Sequence, residues 1–477
     1  MLSRPIMSNS NPPSTSSGGP SSVSGHRAQS IKRNLLAAFE DPLDCAIARG
    51  STGYQCETSV LDRYSVTGFI SSGTYGRVYK AVSQPGHNHR GAFAIKKFKP
   101  DKEGQRLAYT GISQSAIREM SLCSDLNHVN IIKLVETILE NKSIFMVFEY
   151  AEHDLLQIIH HHAQQPRLPI PPSTIKSIIF QLINGCKYLH ANWVLHRDLK
   201  PANIMVTSSG VVKIGDFGLA RCFYKPLQPL FSGDKVVVTV WYRAPELLMG
   251  SWHYSPAIDM WAVGCIFAEL LSLRPIFKGE EAKADMRKMP FQHSQMQKII
   301  DILGVPTKDQ WPLLTSLPEY NQFLSLQPLK SYSSYTQNQK DRILSSKGDI
   351  NFPNGSNLDR WYYGITQAGA GHTTSPHVAS GPESLQILGA KGCKLLASLL
   401  EYDPERRLTA EQALDHELFH IGSKVSTNCF DGVKMEYPHR RVSQDDTDIW
   451  ASTGSLPVTK RGDLPDDARP AKKFKEA

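Results

Sequence analysis

His196-Arg197-Asp198-Leu199-Lys200-Pro201-Ala202-Asn203 is the stretch on which the reading of this chain turns. Within one loop it sets a carboxylate that can accept a hydroxyl proton (Asp198), a cation that can neutralise anionic oxygens (Lys200) and an amide whose oxygen can ligate a hard cation (Asn203). Further on, the apolar run Val211-Val212-Lys213-Ile214 leads into Asp216-Phe217-Gly218, which adds Asp216 as a second metal ligand. A base, a cation and two metal ligands in this order are what phosphoryl transfer from a nucleotide requires, and an ordinary polar turn does not supply both motifs at this distance.

Upstream residues complete the set. Ser71-Ser72-Gly73-Thr74-Tyr75-Gly76-Arg77-Val78 lies between two strand-like segments, where small residues let a hairpin backbone close over phosphates; alone it is equally readable as a plain turn. Ala94-Ile95-Lys96 ends a strand-like run, and Glu119 lies in the helix-period segment that follows, so the two can form an ion pair that holds the lysine on phosphate oxygens. Ala244-Pro245-Glu246 closes the segment opened by Asp216. Arg407 is placed to pair with Glu246, and Asp259 to steady the backbone of the loop around Asp198.

Around these motifs the chain changes character. Residues 1–30 are polar, rich in Ser, Pro and Gly and too poor in apolar side chains to offset ordering entropy, and the whole extension 1–63 is expected to be disordered or low in complexity, apart from a short amphipathic helix possible over 31–39. Strand-like segments at 64–70, 77–82 and 92–98, a helical segment at 113–126 and a strand pair ending at 144–148 predict a small β-rich lobe. Long helical stretches follow, notably 173–189 and 258–273, with a hinge near Glu149-Tyr150-Ala151. Residues 332–382, rich in Ser, Gly, Asn and Thr, read as a surface insertion, and after Phe419 the periodicity fades into a tail, 420–477. His160-His161-His162 cannot converge on one ion from a helix and read as exposed helix-end histidines.

Composition sets bounds. The 477 residues, 40% hydrophobic and 21% charged, suit a globular chain with a sizeable core, and no apolar run is long enough for a membrane span. The N-terminus has no apolar stretch of a secretory signal, and the eight cysteines are scattered without zinc-ribbon or disulfide spacing, so free thiols in an intracellular compartment are expected. A net charge of +8 without an arginine-rich stripe gives no support for direct nucleic-acid binding. Lys460-Arg461 and Lys472-Lys473-Phe474-Lys475 form two basic clusters, readable as a bipartite nuclear-import signal or as a solvated basic tail.

Over residues 64–419 these motifs resemble the protein kinase family, which implies an α+β bilobal kinase fold with a small β-rich N-lobe and a larger helical C-lobe, ATP as co-substrate and Mg²⁺. By that resemblance Asp198, Lys200, Lys96 and Glu119 are catalytic and Asn203 and Asp216 bind metal. The nucleotide lies against Ile70, Ser71, Ser72, Gly73, Thr74, Tyr75, Gly76, Arg77, Val78, Lys96, Glu149 and Ala151. Ser71 stands where the family carries the loop's first glycine.

Ser113-Gln114-Ser115-Ala116-Ile117-Arg118-Glu119 is similar to the cyclin-binding helix of cyclin-dependent kinases but departs at its first three positions, which implies a different cyclin. Glu152-His153-Asp154-Leu155, residues 188–195, Pro226-Leu227-Gln228-Pro229-Leu230 and Val236-Val237-Val238-Thr239 look like the Mediator-associated member of that group, and Phe217 suggests its fungal form. The resemblance implies a cyclin C-type cyclin and Mediator kinase-module subunits as partners. It also implies a nuclear location, and Ser/Thr-Pro substrates in the RNA polymerase II C-terminal domain and transcription factors. Where such kinases carry a phosphorylated threonine this chain has Asp234, with Arg118, Arg197 and Arg221 present to meet it; Asp234 reads as a built-in partial substitute for the phosphate, or as a turn aspartate. A pseudokinase scaffold is the competing reading, resting on Ser71 alone, and a mitogen-activated kinase is excluded by the missing Thr-x-Tyr pair.

Overall fold

The computed structural model describes residues 58–73, 76–86, 89–98, 114–141, 143–164, 166–223, 239–251, 253, 255–282, 290–326, 356–368, 388–422 and 424–449. The helix expected at 31–39, Thr74, Tyr75, Asp234 and both basic clusters lie outside them.

A short helix, α1 (Val60–Arg63), capped by the Ser59 side chain, leads into β1 (Tyr64–Ser72), β2 (Gly76–Ser83) and β3 (Ala92–Phe98). Helix α2 (Gln114–Asp125) precedes β4 (Leu134–Glu140) and β5 (Ser143–Glu149), and the antiparallel sheet runs β1-β2-β3-β5-β4. Strand β5, Ser-Ile-Phe-Met-Val-Phe-Glu, is buried on both faces. Strand periodicity sends Ile144, Met146 and Phe148 toward the main core, and Phe145 and Val147 to a second cluster on the far side of the sheet. That second cluster comprises Tyr64, Tyr79, Phe93 and Ile95, closed by Val60 from one end of the described chain and Ile449 from the other. The extension expected to stay disordered up to residue 63 is thus packed from Ser59 onward, because an apolar sheet face has to be covered.

The larger lobe begins with β6 (His153–Asp154), α3 (Leu155–Ala163) and α4 (Pro172–Ala191). Next come β7 (Val194–Leu195), β8 (Ile204–Val206), β9 (Val212–Ile214) and β10 (Arg221–Cys222), which frame the loop around Asp198. Helices α5 (Pro245–Leu248), α6 (Ala257–Ser272), α7 (His293–Leu303), α8 (Tyr320–Phe323), α9 (Leu358–Ala368), α10 (Gly389–Leu399) and α11 (Ala410–Leu414) complete it. Helix α6 is apolar all round and almost wholly buried, so it forms the axis of the lobe. The expected bilobal α+β arrangement is the one found.

Two expectations need correction. Within the supposed surface insertion 332–382, α9 buries Leu358 and Tyr362, and a Cβ on Gly392 of α10 would lie 2.4 Å from the Tyr362 hydroxyl oxygen, so this part belongs to the core. The Ser- and Gly-rich flanks hid an amphipathic helix of only three turns. His162, read as exposed, is buried, bonded through Nδ1 to the Leu168 carbonyl and through Nε2 to the Tyr437 hydroxyl at 3.0 Å each.

Tyr437 belongs to the segment 424–449, which crosses both lobes as a strap. Ser177 Oγ donates to Ser426 O (2.6 Å) and Cys429 N to Gly210 O (2.9 Å) on the large lobe; Arg440 N donates to Glu152 O (2.7 Å) beside the hinge. On the small lobe Ser443 forms an antiparallel bridge with Phe69, Arg77 pairs with Asp446, Lys97 donates to Ile449 O (2.9 Å), and Ile449 is buried. Hydrophobic periodicity is absent here because the strap is neither helix nor strand and is anchored by main-chain bonds and single buried side chains.

Candidate active site

The site lies in a cleft of about 1160 Å³ between the lobes. Its roof is the β1–β2 hairpin, in which Gly73 N donates to Gly76 O (2.9 Å). A Cβ on Gly76 would stand 2.2 Å from Lys97 O, so the close approach of β2 to β3 requires glycine there. Ser71 continues the β1–β2 ladder opposite Val78, so the serine in place of glycine leaves the hairpin formed. Ile70, Val78, Ala94, Phe148 and Met205 give the cleft an apolar slot of the kind that takes a flat aromatic base.

Ile70, Ser71, Ser72, Gly73, Gly76, Val78, Lys96 and Glu149 line the cleft as expected. Ala151 is buried in the hinge, two residues after Glu149 and three before Asp154, both of which line the cleft. One residue assigned to nucleotide binding faces away from it. Arg77 points outward, pairs with Asp446 and stacks over Phe69 and Tyr79, since alternate residues of a strand face opposite sides.

Lys96 on β3 faces the cleft and meets Glu119 of α2 at 2.8 and 2.7 Å and Asp216 Oδ1 at 2.9 Å. Burial disfavours charge on Lys96, but the carboxylates of Glu119 and Asp216 outweigh it and hold its pKa above the ordinary lysine value. Burial likewise opposes ionisation of Asp216, and Lys96 overcomes it, holding Asp216 below the usual carboxylate range. Asp216 has a left-handed backbone (φ 63°) with Phe217 fully buried beside His196, ring centroids 5.2 Å apart, so the apolar anchor turns the carboxylate into the cleft.

Across the cleft, Asp198 is held from several sides. Lys200 Nζ donates to Oδ2 (2.6 Å), Asn203 Nδ2 to the main-chain oxygen (2.8 Å) and to Oδ2 (3.1 Å), and Thr239 Oγ1 to Oδ1 (3.1 Å). Lys200 also reaches Thr239 Oγ1 (3.2 Å), which ties the end of the activation segment to the catalytic loop. Buried Asp259 accepts from the amides of His196 and Arg197, both at 2.9 Å, and from His190 Nε2 at 3.0 Å. Burial opposes the charge of Asp259, yet these donors keep its pKa below the usual value. Arg197, at φ 65°, is fixed in this left-handed conformation by its amide on Asp259 and its Nε on Leu219 O (2.7 Å).

Arg118 Nη1 donates to Gly218 O (3.2 Å), so Arg118 and Arg197 converge on successive carbonyls just after Phe217, and Arg221 follows in β10 opposite Leu195. Asp234 cannot be placed with them, since it is outside the described residues. The Glu246–Arg407 pair forms as expected, with bonds of 2.8 and 3.0 Å, and the guanidinium lies 5.1 Å from the Trp261 ring centre. Nearby, Tyr242 donates its hydroxyl to buried Glu269 on α6 (2.7 Å). Sequence reasoning gave no role to Thr239, His190 or Glu269; a threonine, a helix-end histidine and a glutamate in an apolar helix carry no spacing signal until the fold brings them to Asp198, Asp259 and Tyr242.

The donor set fits a nucleotide–Mg²⁺ pair. Asn203 spends its amide nitrogen on Asp198, which turns its oxygen the other way, and Asp216 is ionised. Mg²⁺ is commonly held by one or two such oxygens together with substrate phosphates. The protein kinase domain family matches residues 64–419, the span that builds this cleft. The chain belongs to the protein kinase family. It is 60% identical to the serine/threonine-protein kinase SSN3 of Pyricularia oryzae, over 98% of this chain and 100% of that protein. It is 62% identical to the protein of the same name from Chaetomium globosum (94% of this chain, 86% of that one) and 65% identical to that of Gibberella moniliformis (89% and 94%).

As a serine/threonine kinase it acts on a hydroxyl and a terminal phosphoryl group. Asp198, aligned by Thr239 and Asn203, is placed where it can accept the proton of an attacking hydroxyl, with Lys200 beside it where it can face charge on a transferred group. Lys96, fixed by Glu119, is placed where it can hold a phosphate chain on the opposite wall. Mg²⁺, where held by Asn203 and Asp216, would supply positive charge against that developing on the phosphate oxygens.

Proposed function

We propose that this chain is the cyclin-dependent kinase of a Mediator kinase module, transferring the ATP γ-phosphate, with Mg²⁺, to Ser/Thr-Pro sites of the RNA polymerase II C-terminal domain and of transcription regulators in the nucleus. The observation that carries catalysis is the continuous set Glu119–Lys96–Asp216 facing Asp198–Lys200–Thr239 across one cleft. It also weighs against a scaffold without turnover.

A cyclin C-type partner is supported by α2 itself, where Ala116 and Glu119 are buried while Ile117 is 43% exposed, an apolar side chain left for another surface to cover. Preference for proline after the acceptor is supported by buried Arg243 at the cleft wall, next to the activation-segment backbone; proline brings no N–H in need of a partner. Nuclear import by the clusters at 460–461 and 472–475 is part of the proposal. A reporter fused to that tail accumulates in nuclei if it holds, and stays evenly spread if it does not.

The deciding experiment is phosphate transfer by the purified chain, with and without a co-expressed cyclin C-type cyclin, to a Ser-Pro repeat peptide and to its Ser-Ala counterpart. We expect transfer that needs both cyclin and proline. Equal rates with and without cyclin reject the cyclin-dependent assignment, and equal rates on the two peptides reject the proline-directed one.

A further inference from the structure

Leaving the mouth of the cleft, whose lining includes Arg440 and Arg441, the strap reads Arg440-Arg441-Val442-Ser443-Gln444 as it reaches the small lobe. Ser443, Arg441 and Gln444 are exposed, and the segment is extended where it lies antiparallel along β1, the edge strand of the sheet. Two guanidinium groups stand three and two residues before the exposed hydroxyl; that of Arg441 is exposed, that of Arg440 lies 3.6 Å from Asp154 until the segment opens, and such a pair on an extended chain is what a kinase with an acidic substrate groove reads through paired carboxylates. We infer that Ser443 is a phosphoacceptor for an arginine-directed protein kinase, and that its modification releases the strap from the small lobe.

The acceptor is followed by Gln444, so a proline-directed kinase does not serve it, and a separate enzyme has to supply the reaction. In that reaction Ser443 Oγ attacks the γ-phosphorus of ATP, the bond to the β–γ bridging oxygen breaks, ADP leaves, and the hydroxyl proton passes to the modifying kinase's base. The segment is held on β1 by two main-chain hydrogen bonds, Phe69 N to Ser443 O and Ser443 N to Phe69 O, each 2.8 Å, so local opening presents it.

The consequence follows from charge and fit. A phosphoserine adds about −1.5 to −2 charge. Here it would stand next to Asp445 and Asp446, and Asp446 already engages Arg77, whose guanidinium lies 4.8 Å from the centre of the Phe69 ring that backs the bridge. The phosphate therefore repels these carboxylates and competes for Arg77. The seat is tight as well: a Cβ on Gly68 would be 2.5 Å from Val442 Cγ1 and 2.6 Å from Ser443 O, so the strap cannot shift inward to relieve repulsion. Release uncovers the cluster that Ile449 closes, and loosens the strand that roofs the cleft.

The test uses the full chain with Asp198→Asn to silence its own turnover, Mg-ATP, and the purified catalytic subunit of cyclic-AMP-dependent kinase as the arginine-directed probe. Mass spectrometry should find phosphate on Ser443, none at that position in Ser443→Ala, and at least tenfold slower incorporation in Arg441→Gln. Amide exchange at Phe69 should speed up at least tenfold on stoichiometric phosphorylation. An unmodified Ser443, incorporation indifferent to Arg441, or unchanged exchange at Phe69 in the phosphorylated chain would each overturn the inference. None of these readouts depends on cyclin or on the substrates of the cleft, so the inference and the proposed function fail separately.

Discussion

Glu119 grips Lys96 through both carboxylate oxygens, at 2.8 and 2.7 Å, while the same ammonium reaches Asp216 at 2.9 Å. One cation is thus shared by the helix a cyclin would press upon and the residue that would hold metal. Glu119→Gln keeps the shape and removes the charge, leaving Lys96 drawn to Asp216 alone. We expect kcat/KM for ATP to fall roughly tenfold to a hundredfold, or about 1.4 to 2.7 kcal/mol. Steady-state kinetics at varied ATP check this, and an unchanged kcat/KM would show that the pair does not position phosphate.

Asp198→Asn should abolish turnover and leave nucleotide affinity nearly intact, because the aspartate touches neither Lys96 nor Asp216. Thr239→Val is the finer test. It removes the hydroxyl bonded to both Asp198 and Lys200 and keeps the volume. We expect kcat to drop about tenfold, the worth of one hydrogen bond to a charged group. Titration with a fluorescent nucleotide beside single-turnover assays separates the two effects; a loss confined to nucleotide affinity would place Thr239 outside the chemistry.

Much of this site is legible in the sequence because phosphoryl transfer fixes residue types at short spacings: Asp198, Lys200 and Asn203 share one loop, and Asp216 follows a strand. The sheet and the long helices are legible because β5 is a continuous apolar run and α6 is apolar but for Asp259, Glu269 and Ser272. What stays hidden depends on long-range contact. Ile449 closes the small-lobe core from a polar stretch, Tyr437 reaches His162 from a tail without period, and α9 sits in Ser/Gly-rich surroundings. The family resemblance carries Arg77 along with the rest of its nucleotide-binding stretch, but strand alternation turns that side chain outward.

The strap should contribute to stability as well as to coverage. Ile449 is buried among Val60, Tyr64, Phe145 and Val147. Ile449→Ala leaves a cavity that an irregular surface segment can partly close, so the expected loss is at the lower end of such substitutions, about 2 kcal/mol. Denaturant unfolding of the two forms measures it. A loss under about 0.5 kcal/mol, the range of ordinary surface changes, would mean the strap does not seal the sheet.

Glu269 should make stability depend on pH in the direction opposite to most carboxylates. It is buried on α6, and burial pushes its pKa up to about 7, against the Tyr242 hydroxyl and Lys278, which favour the charged form. In the unfolded chain a glutamate titrates near about 4.3. Between those values the folded protein keeps a proton that the unfolded chain has released, so raising the pH through this window favours unfolding, and above about 7 both states are ionised and the effect levels off. The folded state is therefore favoured by this group at the acid end, and the contribution is lost as pH rises through the folded value, by up to about 3 kcal/mol. Glu269→Gln removes the titration and keeps an acceptor for Tyr242. Unfolding free energies of both forms at about pH 5 and about pH 7.5 should show the wild type losing stability relative to Glu269→Gln across the interval. A constant difference between the two forms would mean that Glu269 is already ionised at pH 5, and that the Tyr242 hydroxyl and Lys278 together outweigh its burial.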